Sequence, residues 1–355
     1  KNLQNYDYFF YVCATKQNIM IKYWIARQMV KRTKKRQFPI DYLEQKHVDP
    51  KEPFPNDSSY FYGGDKNGNA FITRMAFRWT TRPHEYWLDF YLKGLGFFGI
   101  REDPGPDGEG FQQGTLKYEP VEIGKVWRVS YEGKVIDELN KPHECKIDLL
   151  FTGEHPIYDF AKSSDQRIIA RAIANEKWTK EFFHHMKDTH QVHYEQTGRI
   201  AGTIALDRDI HELEMIASRD HSFGSRTWLT WDRHYWITGV ADNGYRWTVT
   251  TIKWQFLGRL TAGFVFGPDG EADAIVECTD LETISKDQLL PNHGFIDIKT
   301  RSGKQHKLEF WRNGEFPYLH DEKYHMREGI GTYKFDGVDG LGMVEFGFHA
   351  DKYNL

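Results

Sequence analysis

Residues 70–79 read "AFITRMAFRW", and this stretch decides the fold class. Phe71, Thr73, Met75, Phe77 and Trp79 fall on one face of an extended chain, and Arg74 and Arg78 fall on the other. A helix would scatter these residues round its circumference, whereas a strand turns successive side chains to opposite faces. "EYWLDFYL" (85–92) repeats the period, with Tyr86, Leu88, Phe90 and Leu92 set against Trp87, Asp89 and Tyr91. "KVWRVSYEGKV" and "CKIDLLFTG" follow in the same manner, punctuated by turn-forming clusters such as "REDPGPDGEG" and "ELNKPHE". Alternating strands joined by short turns imply antiparallel sheet in a barrel or sandwich.

The alternation stops at "SSDQRIIARAIANEKWTKEFFHHMKD" (163–188), where Ile169, Ile173 and Phe183 stand among helix formers behind a Ser-Ser-Asp start. The spacing predicts a linking helix capped at its N-terminus. Strands resume at "VHYEQTGRIAGTIALD" and continue through "RWTVTTIKWQF" and "LTAGFVFGPDG" to "LGMVEFGFH". The reading is all-β, with two successive antiparallel halves each sized for a small barrel. The divisions are an N-terminal segment over 1–57, a first β-domain with the linking helix over 58–188, and a second β-domain over 189–355.

Composition narrows the function. The 355 residues are 39% hydrophobic and 28% charged, enough to bury a core. Aromatic residues make up 15%, the kind of excess spent in sheet interiors and ligand cavities. A net charge of -4 argues against nucleic acid as a partner. No βαβ rhythm, G-x-G-x-x-G or P-loop is present, so nucleotide chemistry is not expected. Cys13, Cys145 and Cys278 are odd in number and far apart, which speaks for reduced thiols, an intracellular setting and no zinc. His184, His185, His190 and His193 lie close in sequence, as do His320, His325 and Glu328, but neither run has a metal-ligand spacing. The expectation is therefore no metal and no cofactor. At the N-terminus an aromatic stretch runs into Lys31, Arg32, Lys34, Lys35 and Arg36, a pattern open to membrane-surface contact or to an amphipathic helix docked on the body.

The densest chemistry lies in "SRDHSFGSRTW" (218–228). Adjacent His221 and Ser222 point to opposite faces of an extended chain, so a hydrolytic pair is poorly supported. Asp220 and Arg226 are expected to meet, with Gly224 letting the chain bend. Two roles remain open: a buried ion pair that closes a turn, or an inward polar cluster of Asp220, His221 and Arg226 beside an apolar cavity, able to donate a proton.

"HYEQTGRIAGTIALD" (193–207), "SRDHSFGSRTW" and "GLGMVEFGF" (340–348), in that order, resemble the signatures of the hydroxyneurosporene synthase-like, or carotenoid 1,2-hydratase-like, superfamily. That superfamily also holds AttH-like proteins and lipocalin-like Diels–Alderases. The resemblance covers residues 190–350 and is architectural over 58–160; Phe223 stands where many relatives carry Trp. It implies two tandem lipocalin-like barrels with an apolar pocket in or between them, and a polyene, isoprenoid or lipid-like ligand. It further implies hydration, isomerisation or cyclisation without a cofactor. The alternatives are a carrier, or a structural or regulatory domain of a longer polypeptide. The residues expected at the site are Asp220, His221, Arg226 and Glu345 for chemistry, and Glu195, Phe223, Trp228, Trp231 and Trp236 for binding.

Overall fold

The computed structural model describes residues 18–32, 38–78, 84–103, 105–286 and 288–353. A first sheet of eleven strands contains β1 (Pro55–Gly64), β2 (Ala70–Arg78), β3 (His84–Leu92), β4 (Gly96–Gly99), β5 (Phe111–Gln113), β6 (Leu116–Glu122) and β7 (Val126–Asp137). It continues with β8 (Pro142–Gly153), β9 (Tyr158–Asp159), β10 (Gln191–Leu206) and β11 (Asp209–Ser225). Its neighbours run β4-β3-β2-β1-β11-β10-β8-β7, and β4 pairs back onto β7 through Phe98–Asp137 and Gly99–Ile136. The ring therefore closes. A second closed barrel follows in simple sequence order: β12 (Trp231–Ala241), β13 (Arg246–Trp254), β14 (Leu260–Phe266), β15 (Ala272–Cys278), β16 (His293–Thr300), β17 (Gln305–His320), β18 (Tyr324–Phe335) and β19 (Val338–His349). The all-β, tandem-barrel reading holds.

The expected division at 188/189 does not coincide with the sheets. β10 and β11 complete the first barrel, pairing with β8 and β1, and the change of sheet falls between Ser225 and Trp231. The chain leaves the first barrel after β9 and returns to close it, a long-range pairing that local periodicity cannot reveal. Beyond the two N-terminal helices, α1 (18–32) and α2 (Ile40–Leu43), the linking helix is also three short ones, α3 (Phe160–Ser163), α4 (Gln166–Asn175) and α5 (Lys180–Asp188). Asp165 caps α4 by accepting from Arg167 N, as the Ser-Ser-Asp start suggested, and Thr179 caps α5 through Phe182 N.

An N-terminal helix over 18–32 docks on this helical segment, burying Ala26 and Val30 against Ala170, Ile173, Phe182 and Leu257. Lys34, Lys35 and Arg36, and all of residues 1–17 with Cys13, lie outside the described residues. No described helix is long and apolar enough to cross a membrane. Cys145 and Cys278 are free, the first in the core of barrel one and the second against the core of barrel two.

Both barrel interiors are filled. Phe61, Phe71, Leu88, Trp127, Leu149 and Phe151 pack in the first, and Tyr235, Ile237, Trp247, Phe310 and Phe335 in the second. The barrels meet outer face to outer face, where Tyr60, Tyr62, Ile72 and Trp87 pack on Trp236, Phe316 and Met343. Every residue of β1 and β2 is consequently buried, so Arg74 and Arg78 face the second barrel rather than water. Arg78 bridges Glu85 (2.7 Å) and Asp321 (2.9 Å), and Asp321 accepts from the backbone N–H of Trp228 at 2.9 Å. Trp87 stacks on Tyr318 with centroids 3.8 Å apart.

One mouth of barrel one is stoppered from outside. After the short helix Ile40–Leu43, Glu44 enters beneath β11 and takes Arg219 Nη2 at 2.8 Å, Trp127 Nε1 at 2.5 Å and the Tyr194 hydroxyl at 2.8 Å. Burial pushes the Glu44 carboxyl up, but Arg219 and these donors bring it net below its ordinary value. Removing one partner of such a pair strands the other charge, so Arg219→Met should cost about 3–5 kcal/mol in urea unfolding. Adding Glu44→Gln should restore part of that loss, because the two changes act on one pair.

Candidate functional site

From Ala217 onward strand β11 is buried on both faces, so alternate residues of the 218–228 motif enter different environments. Arg219, His221 and Phe223 turn into the first barrel and its stopper. His221 Nε2 meets Asp57 Oδ1 at 2.7 Å, while Nδ1 lies 2.9 Å from the Leu43 carbonyl. Phe223 packs on His47, with centroids 4.1 Å apart. These two residues, expected at the site, do not reach it. Period two sends them to the opposite face from Asp220.

Asp220 instead faces a cavity of about 320 Å3 between the barrels. Its walls come from β1, β2, β10 and β11 on one side, β12, β13, β14, β15, β18 and β19 on the other, and α3 and α4 at the edge. Arg226, Trp228, Trp231, Trp236 and Glu345 all line it, as the sequence suggested. Glu195 lies behind Trp236 and accepts its indole N–H at 2.8 Å.

Asp220 and Arg226 share this space without the expected direct contact. Among the described residues Arg226 forms no ion pair. Its guanidinium lies 4.8 Å over the Trp228 ring, and Nη2 reaches Asn56 Oδ1 only at 3.4 Å. Asp220 lies 3.9 Å from His193 Nε2. With a quarter of its side chain still accessible (24%), it presents its carboxyl to the cavity it lines.

Sequence reading missed several residues here. Glu328 and Glu345 stand directly opposite each other on β18 and β19. Two buried like charges at that register are untenable, and a shared proton is the usual resolution. Burial, then the neighbouring Glu345, hold the Glu328 carboxyl well above its ordinary range. Tyr60 OH points at Glu328 Oε2 from the first barrel, at 3.5 Å. His234 joins the group through Nε2 to Glu345, and its Nδ1 lies 2.5 Å from the Tyr324 hydroxyl. With the Glu345 oxygen accepting, Nε2 carries the hydrogen and Nδ1 accepts from Tyr324. The signal for His234 was present in "WDRHYW": it lies two residues before Trp236, hence on the same face.

The electrostatics run toward protonated carboxyls. Burial pushes Asp220 up to about 7 against the pull of Arg226 and Arg74, and Glu345 adds to the rise. Glu195 is pushed up to about 8, again by burial first, with Asp220 and Glu345 contributing. Burial, Arg226 and His221 lower His193 to about 3, so its ring is neutral at physiological pH. Such a site holds weak acids that can give up a proton near neutrality. Among the described residues no group of three or more His, Cys, Asp or Glu is placed to hold a metal. The histidine run disperses instead: His184 meets Asp188, His185 meets Glu181, and His190 meets Glu52.

A family described as a domain of unknown function (DUF7064) matches residues 39–350. The chain belongs to that family. Among curated proteins, none matches this sequence. Among solved structures, a Nitrosomonas europaea protein named as an AttH is similar at TM-score 0.53 and 11% identity, covering 88% of this chain and 96% of its own. At that identity the likeness is one of fold. Kievitone hydratase from Nectria haematococca reaches TM-score 0.48 at 9% identity, over 84% of this chain and 90% of that one. CghA with Sch210972 reaches 0.48 at 10%, over 86% and 94%. The superfamily resemblance drawn from the three motifs thus holds as a shared tandem-barrel fold.

The state of Asp220 in this DUF7064 chain has a consequence for stability. Between about pH 4 and pH 7 the native carboxyl holds a proton that the unfolded one has lost, so its contribution to stability declines as pH rises through that window. Asp220→Asn should therefore stabilise the protein by roughly 1–3 kcal/mol at pH 8, and the gain should vanish by pH 4. Urea unfolding at the two pH values measures this. A destabilised variant at pH 8 would mean that Asp220 serves as a charged structural partner.

Proposed function

We propose that the chain binds an apolar small molecule of polyene, isoprenoid or related type between its barrels, and moves a proton to or from it without a cofactor. The observation that carries this reading is the buried carboxyl pair Glu328–Glu345, set in a tryptophan-walled cavity with the partly protonated Asp220 across from it. A structural seam would be better served by apolar side chains, since buried ionisable groups cost stability unless paired.

The cavity volume lies at the low end of the ~300–1,000 Å3 typical of ligand pockets, which suits a short chain or one end of a longer one. In a hydration, Glu328 or Asp220 gives its proton to one alkene carbon. The oxygen of a water forms the bond to the other, and the proton released from that water returns to the carboxylate. The positive charge developing on carbon would face Trp228, Trp231 and Trp236, whose π-faces attract cations. His234 and Tyr324 orient Glu345, and through it the pair. Isomerisation uses the same first step and ends with loss of a different proton.

The test is deuterium uptake. A panel of short isoprenoid alkenes, incubated with the protein in D2O and followed by mass spectrometry, should show a substrate that gains deuterium. Its binding should quench tryptophan fluorescence. Glu328→Gln should cut the uptake at least 100-fold while quenching persists, in line with the ~10²–10⁴-fold contribution of a positioned acid. Quenching with no uptake in the native protein would make the chain a carrier.

A further inference from the structure

We propose that the molecule held between the barrels is a monocarboxylic acid, its carboxylate received by Arg226 and Arg74 with the Trp228 indole N–H. This rests on the reading of the cavity as a ligand site and names the class of ligand.

The first argument is a charge count. Arg74, Arg78 and Arg226 gather at one end of the seam, where Glu85 bridges Arg74 (2.8 Å) and Arg78, and Asp321 bridges Arg78. Three guanidiniums thus meet two ion-paired carboxylates, the third carboxyl near them, Asp220, keeps its proton below about pH 7, and Arg226 is the one of the three without an ion pair among the described residues. Burial, followed by Arg74 and Arg78, depresses Arg226 to about 9, the behaviour of a cation short of a counter-charge. One missing negative charge calls for a monoanion; a phosphate would overfill the site.

The second argument is a set of unmet donors. Arg74 Nη2, Arg226 Nε and Trp228 Nε1 have no hydrogen-bond acceptor among the described residues, although Arg74 and Trp228 are each only 4% exposed. All three residues line the cavity. Unmet buried donors are costly, and three of them beside an uncompensated guanidinium describe the complement of a carboxylate. The rest of the wall, with Trp231, Trp236, Ile252 and Met326, suits an apolar body.

The arrangement also couples binding to protonation of Asp220. The charged or titratable groups around it are Arg226, Arg74, His221, Glu345, His193, Glu195, Glu328 and Tyr60. An ionised Asp220 would compete with a carboxylate for Arg226 and repel it, so the acid binds best while Asp220 is protonated. Affinity should then fall as pH rises through about 7, by up to tenfold per unit above it, and the bound acid should keep Asp220 in its proton-bearing form.

Geranic acid, methyl geranate and geranyl phosphate form a matched set of probes, read by tryptophan quenching. Geranic acid should bind at least tenfold more tightly than its methyl ester at pH 6, and geranyl phosphate more weakly than the acid. Arg226→Gln should bring the acid down to the ester's affinity, whereas Arg226→Lys, which keeps the charge, should retain a preference. Over pH 6–8.5, where geranic acid stays ionised, its affinity should fall in the native protein and fall much less between pH 6 and pH 7.5 in Asp220→Asn. Equal binding of acid and ester, a stronger phosphate, or a preference that survives Arg226→Gln overturns the carboxylate assignment alone. Failure of the acid and the ester both to bind overturns the ligand reading beneath it.

Discussion

Burial of single strands on both faces is the constraint on which the rest of this molecule depends. β1, β2 and the second half of β11 (from Ala217) each give one face to the filled interior of barrel one and the other to barrel two. A strand at the surface of a barrel can place its polar residues in water. These strands cannot, so every charge on them needs a partner within the protein. Arg78 finds two carboxylates, one from each barrel, and the second holds the chain at Trp228 where it crosses between sheets. The seam is therefore a polar lattice with aromatic filling. Where the lattice leaves charges unmatched, it opens into the cavity.

Two carboxyls show how neighbours decide the sign. Glu44 and Glu328 are both buried glutamates, and desolvation pushes both up. Glu44 has Arg219 and two neutral donors, Trp127 and Tyr194, which reverse the shift and make it an ionic stopper. Glu328 faces Glu345, which reinforces the shift and leaves a neutral acid. One arrangement fixes a barrel mouth. The other stores a proton beside a water-poor space. Only the second is difficult to explain by stability.

Much of the fold was legible because period two survives locally even when burial does not. The strands of residues 70–92, the helical interruption after Ser163 and the capping role of Asp165 all follow from short-range rules. Which barrel owns β10 and β11 did not, since nothing in their own residues distinguishes pairing with β8 and β1 from pairing with later strands. The same limit shaped the site. Asp220, Arg226 and Trp228 were named from a dense motif, Trp231 and Trp236 from the stretch just after it and Glu345 from the signature at 340–348, and all six reach the cavity. His221 and Phe223 were named for adjacency, and strict alternation carries them to the far face. Glu328 and His234 became visible only once register set them beside Glu345.

The filled interiors bear on how such a chain can vary its ligand. A single lipocalin-type barrel that holds its ligand inside must trade core packing against cavity volume. Here the cores of both barrels are largely separate from the seam: Phe61 and Phe151 in one and Trp247 and Phe335 in the other do not line the cavity, although Ile275 of the second core reaches its wall. Cavity walls are outward-facing residues, held at fixed register by strands whose inward residues anchor them. Substituting Trp231 or Met326 changes the shape of the ligand space without opening either core. The constraint falls instead on the charged groups, because Arg74, Glu85 and Arg78 are buried in the seam, where an unpaired charge is costly. Variation in the apolar wall around a fixed polar frame is the form of diversity this architecture permits most cheaply.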